Sequence, residues 1–359
     1  VSLTHRYKDI KLPEIKVVDI HDLQRRKMMK GLFSPLLTDS IHEALQNGEQ
    51  VILFQNRRGF SPIMECKQCG WVPKCSNCDV SLTYHKSMNQ LTCHYCGFSY
   101  KVPEVCPECG NHVITSKGFG TEKVEDIVRE MFPEARVARM DMDTTKTRSA
   151  YERMIDDFAS GKTNLLIGTQ MISKGLDFDK VSVVGILNAN SMLSYPDFRA
   201  YEHAYMMIAQ VSGRAGRKGK QGLVILQTKT PDAPLIRYVA NNDYSAFYNA
   251  VLAERKQFHY PPFFRVINIY LRHANASVVQ SAGIELSSLL RQKLGNRVLG
   301  PDRPPIARIK TMHIRKLLIK TEPSVPLATI RQTLLQAQEQ LLKDHQYTSL
   351  QIHYDVDPL

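Results

Sequence analysis

Apolar residues in this chain fall into short runs separated by amphipathic stretches. Val51-Ile-Leu-Phe54, Asn164-Leu-Leu-Ile167, Val181–Leu187 and Leu223-Val-Ile-Leu226 are such runs, and residues 15–20 and Arg136–Met140 read as further strands. Short apolar runs without strict alternation suit strands covered on both faces. Between them the period lengthens. Ser34 followed by Pro35 is a helix-start signal and Gly48 a stop. Val124, Ile127, Val128 and Met131 share one helical face, and Pro133 ends that helix. Tyr151, Met154, Ile155 and Phe158 mark another helix, and a further one falls near 197–212. Ile114-Thr-Ser reads as a short strand.

Strands alternating with helices predict a parallel α/β sheet. Its working residues are expected on loops at the carboxyl ends of the strands. Those loops are Arg57/Arg58, Asp141–Thr145, Gly168–Phe178 and the stretch ending at Arg217. From Lys256 the order changes to strand (Val266–Leu271), helix (Ser277–Leu294), two extended segments (297–320), helix (Leu327–Asp344) and strand (Leu350–Tyr354). That order predicts a small α+β unit of the split βαβ kind. The expected division is 1–60 and 113–232 for one α/β lobe, 61–112 for an insertion within it, 233–255 for a connecting segment, and 256–359 for an α+β DNA-binding domain.

The insertion carries the strongest chemical signal. All eight cysteines lie in it as four C-x-x-C pairs: Cys66/Cys69, Cys75/Cys78, Cys93/Cys96 and Cys106/Cys109. Each pair is half of a tetrahedral zinc site, so two structural Cys₄ sites are expected, with no coordination position open to water. The 14 residues between Cys78 and Cys93 suit facing knuckles, and the five between Cys69 and Cys75 are tight. This predicts a nested arrangement: Cys75, Cys78, Cys93 and Cys96 hold the inner ion, and Cys66, Cys69, Cys106 and Cys109 the outer. His85, His94 and His112 are then surplus. Trp71, Tyr84, Tyr95, Phe98 and Tyr100 stand among Lys67, Lys74, Lys86 and Lys101. That mixture fits base stacking and fits cover over a metal-held core equally well.

Charge narrows the partners. There are 47 lysines and arginines against 35 acidic residues, net +12. Two Zn²⁺ and eight thiolates would lower this to about +8 and leave the chain basic, which favours nucleic acid. Residues 297–320 alone hold Arg297, Arg303, Arg308, Lys310, Arg315, Lys316 and Lys320 against Asp302. No run approaches a membrane span and the first residues hold no secretory signal, so a cytoplasmic protein without a membrane partner is expected. The chain starts at Val1, which suggests a piece of a longer protein. Ser160-Gly-Lys-Thr163 is not a phosphate-cradling P-loop: Asp156 stands where its first glycine belongs, and the triplet follows a helix and precedes a strand.

Gln55-Asn-Arg-Arg-Gly-Phe60, Gly168-Thr-Gln-Met-Ile-Ser-Lys-Gly-Leu-Asp-Phe178 and Gln210-Val-Ser-Gly-Arg-Ala-Gly-Arg217, in that order, resemble the second motor lobe of superfamily 2 helicases. With four C-x-x-C pairs after the first of them, the chain resembles the C-terminal half of the bacterial primosomal replication-restart DNA helicases. Gly120-Thr-Glu-Lys-Val-Glu125, Arg139–Thr145, Tyr260-Pro-Pro-Phe263 and Asp355-Val-Asp-Pro358 belong to the same likeness.

The resemblance implies a RecA-like second lobe of an ATP-dependent 3′→5′ helicase that recognises stalled forks and starts primosome assembly. It implies ATP and Mg²⁺ shared with a first lobe that this sequence lacks, so the chain alone should not hydrolyse ATP. Gln210, Arg214 and Arg217 would face the phosphates, with Arg217 as arginine finger. Gly175 and Asp177 would couple nucleotide to lobe movement. Arg57, Arg58, Thr169, Gln170 and Lys174 would meet DNA. Forked and single-stranded DNA, single-stranded-DNA-binding protein and other primosome proteins are the implied partners of a monomer. The alternative is a non-enzymatic zinc-ribbon nucleic-acid adaptor, which would have no use for Arg214 and Arg217 aimed across a cleft.

Overall fold

The computed structural model describes residues 11–55, 63–66, 71, 73, 75–76, 82–85, 89–92, 98–112, 114–117, 120–173, 178–193, 198–216, 221–304 and 306–358. The elements run β1 (Glu14–Asp19), α1 (Ile20–Arg25), α2 (Pro35–Gln46), β2 (Gln50–Phe54), β3 (Ile63–Cys66), β4 (Thr83–His85), β5 (Gln90–Thr92), β6 (Ser99–Lys101) and β7 (Ile114–Lys117). Then come α3 (Thr121–Met131), β8 (Val137–Met140), α4 (Arg148–Ala159), β9 (Leu165–Gly168), β10 (Val181–Ile186), α5 (Asn190–Leu193), α6 (Ala200–Ser212), β11 (Leu223–Thr228), α7 (Pro234–Ala240) and α8 (Tyr244–Gln257). The chain ends with β12 (Arg265–His273), α9 (Ala276–Leu294), β13 (Val298–Asp302), β14 (Arg308–Ile309), β15 (Met312–Thr321), α10 (Leu327–Leu341) and β16 (Gln351–Val356). It divides into two compact units, residues 1–62 with 118–247 and residues 63–117 with 248–359. No helix among the described residues is long and apolar enough to cross a membrane.

The first unit is built on six parallel strands in the order β1-β11-β10-β2-β9-β8. Every residue of β2 and β9 is buried, which is why these strands read as continuous apolar runs. Helix α2 packs against them through Leu37, Ile41, Ala44 and Leu45. The Ser34 hydroxyl caps it by accepting from Leu37 N–H at 3.3 Å, with Pro35 in the first turn. Gly185, in the middle of β10, is needed for close approach: a Cβ there would lie 2.8 Å from Leu53 and 2.9 Å from Leu37. Three elements exceed the sequence reading. The 233–255 stretch, expected to be a connection, is mostly the helices α7 and α8, and α1 follows directly on β1. All three are short or weakly patterned. α7 has only seven residues, and Tyr205 stacks on Phe247 of α8 with ring centroids 4.2 Å apart, a contact that periodicity cannot reveal.

The second unit holds small antiparallel pieces in 63–117 and a four-stranded antiparallel sheet in the order β13-β15-β12-β16. The chain order strand-helix-strand-strand-helix-strand with that arrangement is the split βαβ fold. Ile267, Ile269, Leu271, Leu317 and Ile319 join Val279, Leu286 and Leu290 of α9 and Ile330, Leu334 and Leu341 of α10 in one core. Both helices therefore cover the same face of the sheet.

Candidate functional site

At the carboxyl ends of the parallel strands, Gln55 follows β2 and Thr169 follows β9. The Gln55 N–H donates to Gly168 O at 2.9 Å, which ties the two exits together. Gly168 has no room for a side chain, because its Cβ would lie 2.4 Å from Ile172 of the following helical turn. Thr169 is buried and Gln170, which opens that turn, is half-buried. Gln170 is thus the more accessible of the two. Arg57, Arg58 and Lys174 lie outside the described residues, as do Gly175 and Asp177.

The next exit is Asp141, after β8, and it organises its own loop. Its carboxylate accepts from Asp143 N–H (2.9 Å), Thr144 N–H (3.1 Å) and the Thr121 hydroxyl (2.5 Å). Arg139 lies 3.5 Å from it and 3.1 Å from Glu125. Burial by itself raises the Asp141 pKa. The Thr121 hydroxyl, the Arg139 guanidinium and the two backbone N–H groups outweigh burial and hold it below the usual carboxylate range. The Gly-Thr-Glu-Lys-Val-Glu and Arg-x-Asp motifs singled out in the sequence are thus two halves of one network.

The arginine motif lies elsewhere. The sequence reading puts the stretch ending at Arg217 among the carboxyl-end loops, and for the described part of that stretch the structure corrects this. Helix α6 returns antiparallel to the strands, as a crossover helix must, so its last turn sits at their amino ends. Gly216 N–H donates to Val181 O, at the start of β10, at 2.9 Å. Gly222 O accepts from Glu14 N–H, at the start of β1, at 2.8 Å. Gly216 adopts φ +72°, and a Cβ on it would fall 2.0 Å from Gly222 N, so the motif's second glycine is a condition of packing. Gln210, in the last turn of α6, is exposed, and Arg214, two residues beyond the helix, is half-buried. Arg217 lies outside the described residues, one peptide bond beyond Gly216.

The segment from Thr169 to Lys180 joins the two ends of the sheet. It leaves β9 at the carboxyl end. Phe178 then packs edge-on against Phe158 of α4 at 4.7 Å, and Lys180 O accepts from Gln50 N–H, at the start of β2, at 2.9 Å.

In the cysteine-rich segment, Cys69, Cys78, Cys93 and Cys96 lie outside the described residues. Among the described residues no group of three or more metal-ligand side chains forms. The backbone nevertheless fits a metal-held module. β3 pairs with β7 so that Cys66 stands opposite Ile114, shortly after the Cys106–Cys109 turn. In that turn Gly110, at φ +71°, donates to Cys106 O at 2.9 Å. β4 pairs with β5 with Thr83 opposite Thr92, and Leu82 N–H donates to Pro73 O at 2.9 Å. The chain around Cys75 is thereby brought beside the end of β5 that leads into Cys93. Cys75 and Cys106 are buried. Cys75 belongs to a small cluster with Met64, Leu82 and Leu91, against which Tyr84, Phe98 and Tyr100 pack. These aromatics serve at least in part as cover.

Comparison with known proteins gives three matches to families. Residues 75–101 match the PriA DNA helicase Cys-rich region, residues 112–219 the helicase conserved C-terminal domain, and residues 256–359 the primosomal protein N C-terminal domain. Replication restart protein PriA of Bacillus subtilis (strain 168) is 38% identical over 360 residues, covering 100% of this chain and 44% of the relative. The protein of the same name from Haemophilus influenzae is 36% identical over 339 residues, covering 94% of this chain and 46% of the relative. The chain thus spans under half the length of these relatives. Among solved structures, RecG bound to a three-way DNA junction matches with TM-score 0.37 and 11% identity, over 68% of this chain and 22% of that one.

Proposed function

The chain belongs to the family of replication restart protein PriA, and from that membership we propose that it is the C-terminal half of an ATP-dependent 3′→5′ DNA helicase acting at stalled forks. The supporting observation is the division of labour at the sheet. Gln210, Arg214 and Gly216 stand at the amino ends of the strands, and Gln55, Thr169 and Gln170 at the carboxyl ends. One segment, Thr169–Lys180, runs from one end to the other, and Lys174, Gly175 and Asp177 lie within it. A motor needs such a link, because a change on the nucleotide side must be felt by the DNA.

On this reading the remainder of the parent supplies the P-loop and the ligands of Mg²⁺, which would neutralise phosphate charge. Gln210, Arg214 and Arg217 approach the phosphates from this lobe. Arg217 places a guanidinium against the transferring phosphoryl group, where a fixed cation stabilises developing charge. Gln170, with Arg57, Arg58 and Lys174, holds the DNA backbone, and buried Thr169 supports that loop. Zinc supplies cross-links that this small segment cannot obtain from burial alone. Cys75, Cys78, Cys93 and Cys96 would hold one ion and Cys66, Cys69, Cys106 and Cys109 a second. The Cys-rich family match spans the first four and none of the others, which supports that grouping. Single-stranded-DNA-binding protein and other primosome proteins are the partners that this role entails.

The test is ATP hydrolysis by the full-length parent carrying Arg217→Ala. It should fall by roughly 10³–10⁵-fold while fork binding persists. The 359-residue chain alone should hydrolyse nothing. Unchanged hydrolysis in the variant, or robust hydrolysis by the isolated chain, would refute the reading.

A further inference from the structure

Asp141, at the carboxyl end of β8, is 1% exposed. A carboxylate so buried needs donors at both oxygens. Oδ1 accepts from the N–H groups of Asp143 (2.9 Å) and Thr144 (3.1 Å), inside its own loop. Oδ2 accepts from the Thr121 hydroxyl at the start of α3, and Arg139 of β8 lies 3.5 Å from it. One oxygen thus shapes the loop, and the other fixes the loop to α3 and β8. An amide could not do both, because its nitrogen would turn N–H groups towards one of these two sets of donors. The Thr144 hydroxyl closes the loop further, accepting from Asp141 N–H at 3.0 Å and donating to Arg139 O at 2.7 Å.

This bonding does not serve to bury the tip of the loop, where Met142 is 73% exposed. What it holds in place is Thr145. The Thr145 N–H donates to Asp141 O at 3.0 Å, and its hydroxyl donates to the same oxygen. That hydroxyl also lies 3.3 Å from Sδ of Met171. Met171 belongs to the helical turn Gln170–Ser173, which opens the segment running to the amino ends of the strands. The turn is tied at its root as well. Thr169 N–H donates to Met140 O at 3.4 Å, and Ile172 fills the space over Gly168. On another side the turn lies against α6, whose last turn carries Gln210.

We propose that Asp141 and Thr145 are positioning residues of the motor, which brace the Gln170–Ser173 turn through Met171 and so set how ATP hydrolysis responds to DNA. Each acts through the turn and not on nucleotide or DNA. Gln170, beside Met171, is the residue of this turn assigned to DNA. Two links lead from the turn towards Gln210 and Arg214: the chain from Thr169 to Lys180, and α6. A turn free to shift would absorb the displacement that DNA imposes on it. A turn packed against a fixed loop passes that displacement on, because close-packed groups have little room to give. The inference rests on the motor reading above and deepens it, by naming residues that carry the DNA signal.

The experiment measures ATP hydrolysis by the full-length parent, without DNA and over a range of forked-duplex concentrations. Thr145→Val keeps the shape of the side chain and removes its hydroxyl. It should raise the half-saturating DNA concentration by roughly 5- to 50-fold and leave DNA-independent hydrolysis within about twofold. Thr145→Ser restores the hydroxyl and should respond as the wild type does. Thr121→Val, which takes one donor from Asp141, should shift the response in the same direction and by less. Hydrogen exchange of the peptide that contains Ile172 should rise in Thr145→Val, while β2 stays protected. A wild-type DNA response in Thr145→Val, or an equal fall of hydrolysis with and without DNA, overturns the inference. So does a Thr145→Ser variant as impaired as Thr145→Val, or unchanged exchange at Ile172. A wild-type parent whose hydrolysis DNA does not stimulate refutes the motor reading along with it. A stimulated wild type with normally responding variants refutes this inference alone.

Discussion

The parallel sheet of the first unit and the antiparallel sheet of the second bury their residues differently. β2 and β9 are buried at every position, so both their faces serve the core and their chemistry is confined to the ends. β12 and β15 keep one face for α9 and α10 and turn the alternate residues away from those helices. A sheet covered on both sides must act through its loops, whereas a sheet covered on one side can act through its surface. The same contrast separates kinds of residue. Leu53, central in the first sheet, is fully buried, and Tyr270, central in the second, is half-buried on the face opposite the helices. The cysteine-rich segment is a third case, whose buried cluster among the described residues is small: Met64, Cys75, Leu82 and Leu91.

Removing metal should give the largest contrast. Metal analysis is expected to find two zincs per chain. Chelation should abolish hydrogen-exchange protection of β4–β6 and leave β2, β9 and β10 protected, since only the former depends on metal. One zinc or none, or unchanged protection, would break the distinction. Next in size, Leu53→Ala should cost about 2–5 kcal/mol in urea unfolding, because Leu53 is fully buried. Tyr270→Ala should cost much less stability, because Tyr270 is only half-buried. Equal losses in the two variants would mean that both faces of the second sheet serve packing, as they do in the first.

The smallest effect concerns the carboxyl-end loop of β8. Asp141 has a depressed pKa in the folded chain. Its contribution to stability is therefore complete above its unfolded pKa, near 4, and is lost as pH falls through the lower folded value. Asp141→Asn should lower stability at neutral pH and flatten the decline below about pH 4, as followed by urea titrations at several pH values. Parallel acid limbs for variant and wild type would remove Asp141 from the network that shapes this end of the sheet.

Much of this molecule is written locally. The apolar runs of β2, β9, β10 and β11, the Ser34–Pro35 helix start, the four C-x-x-C pairs and the strand-helix order after Lys256 each depend on residues close in sequence. Burial period, capping and knuckle chemistry are short-range, so the α/β lobe, its cysteine-rich insertion and the split βαβ domain were legible without coordinates. The site was less so. That Gln210, Arg214 and Gly216 belong to one motif could be read from the sequence, but not that they stand at the opposite end of the sheet from Thr169 and Gln170. That placement depends on α6 returning antiparallel to the strands and on Gly216 meeting Gly222.

Nor does alternation along β12 say which face the helices take. The row of Lys316, Tyr270 and His353 exists only once three strands distant in sequence pair in register. Residues close in sequence carry most of the elements, the four C-x-x-C pairs and the basic charge. Which end and which face of a sheet a residue occupies emerges only on folding, because a crossover direction and a strand register are relations between segments that no single segment encodes.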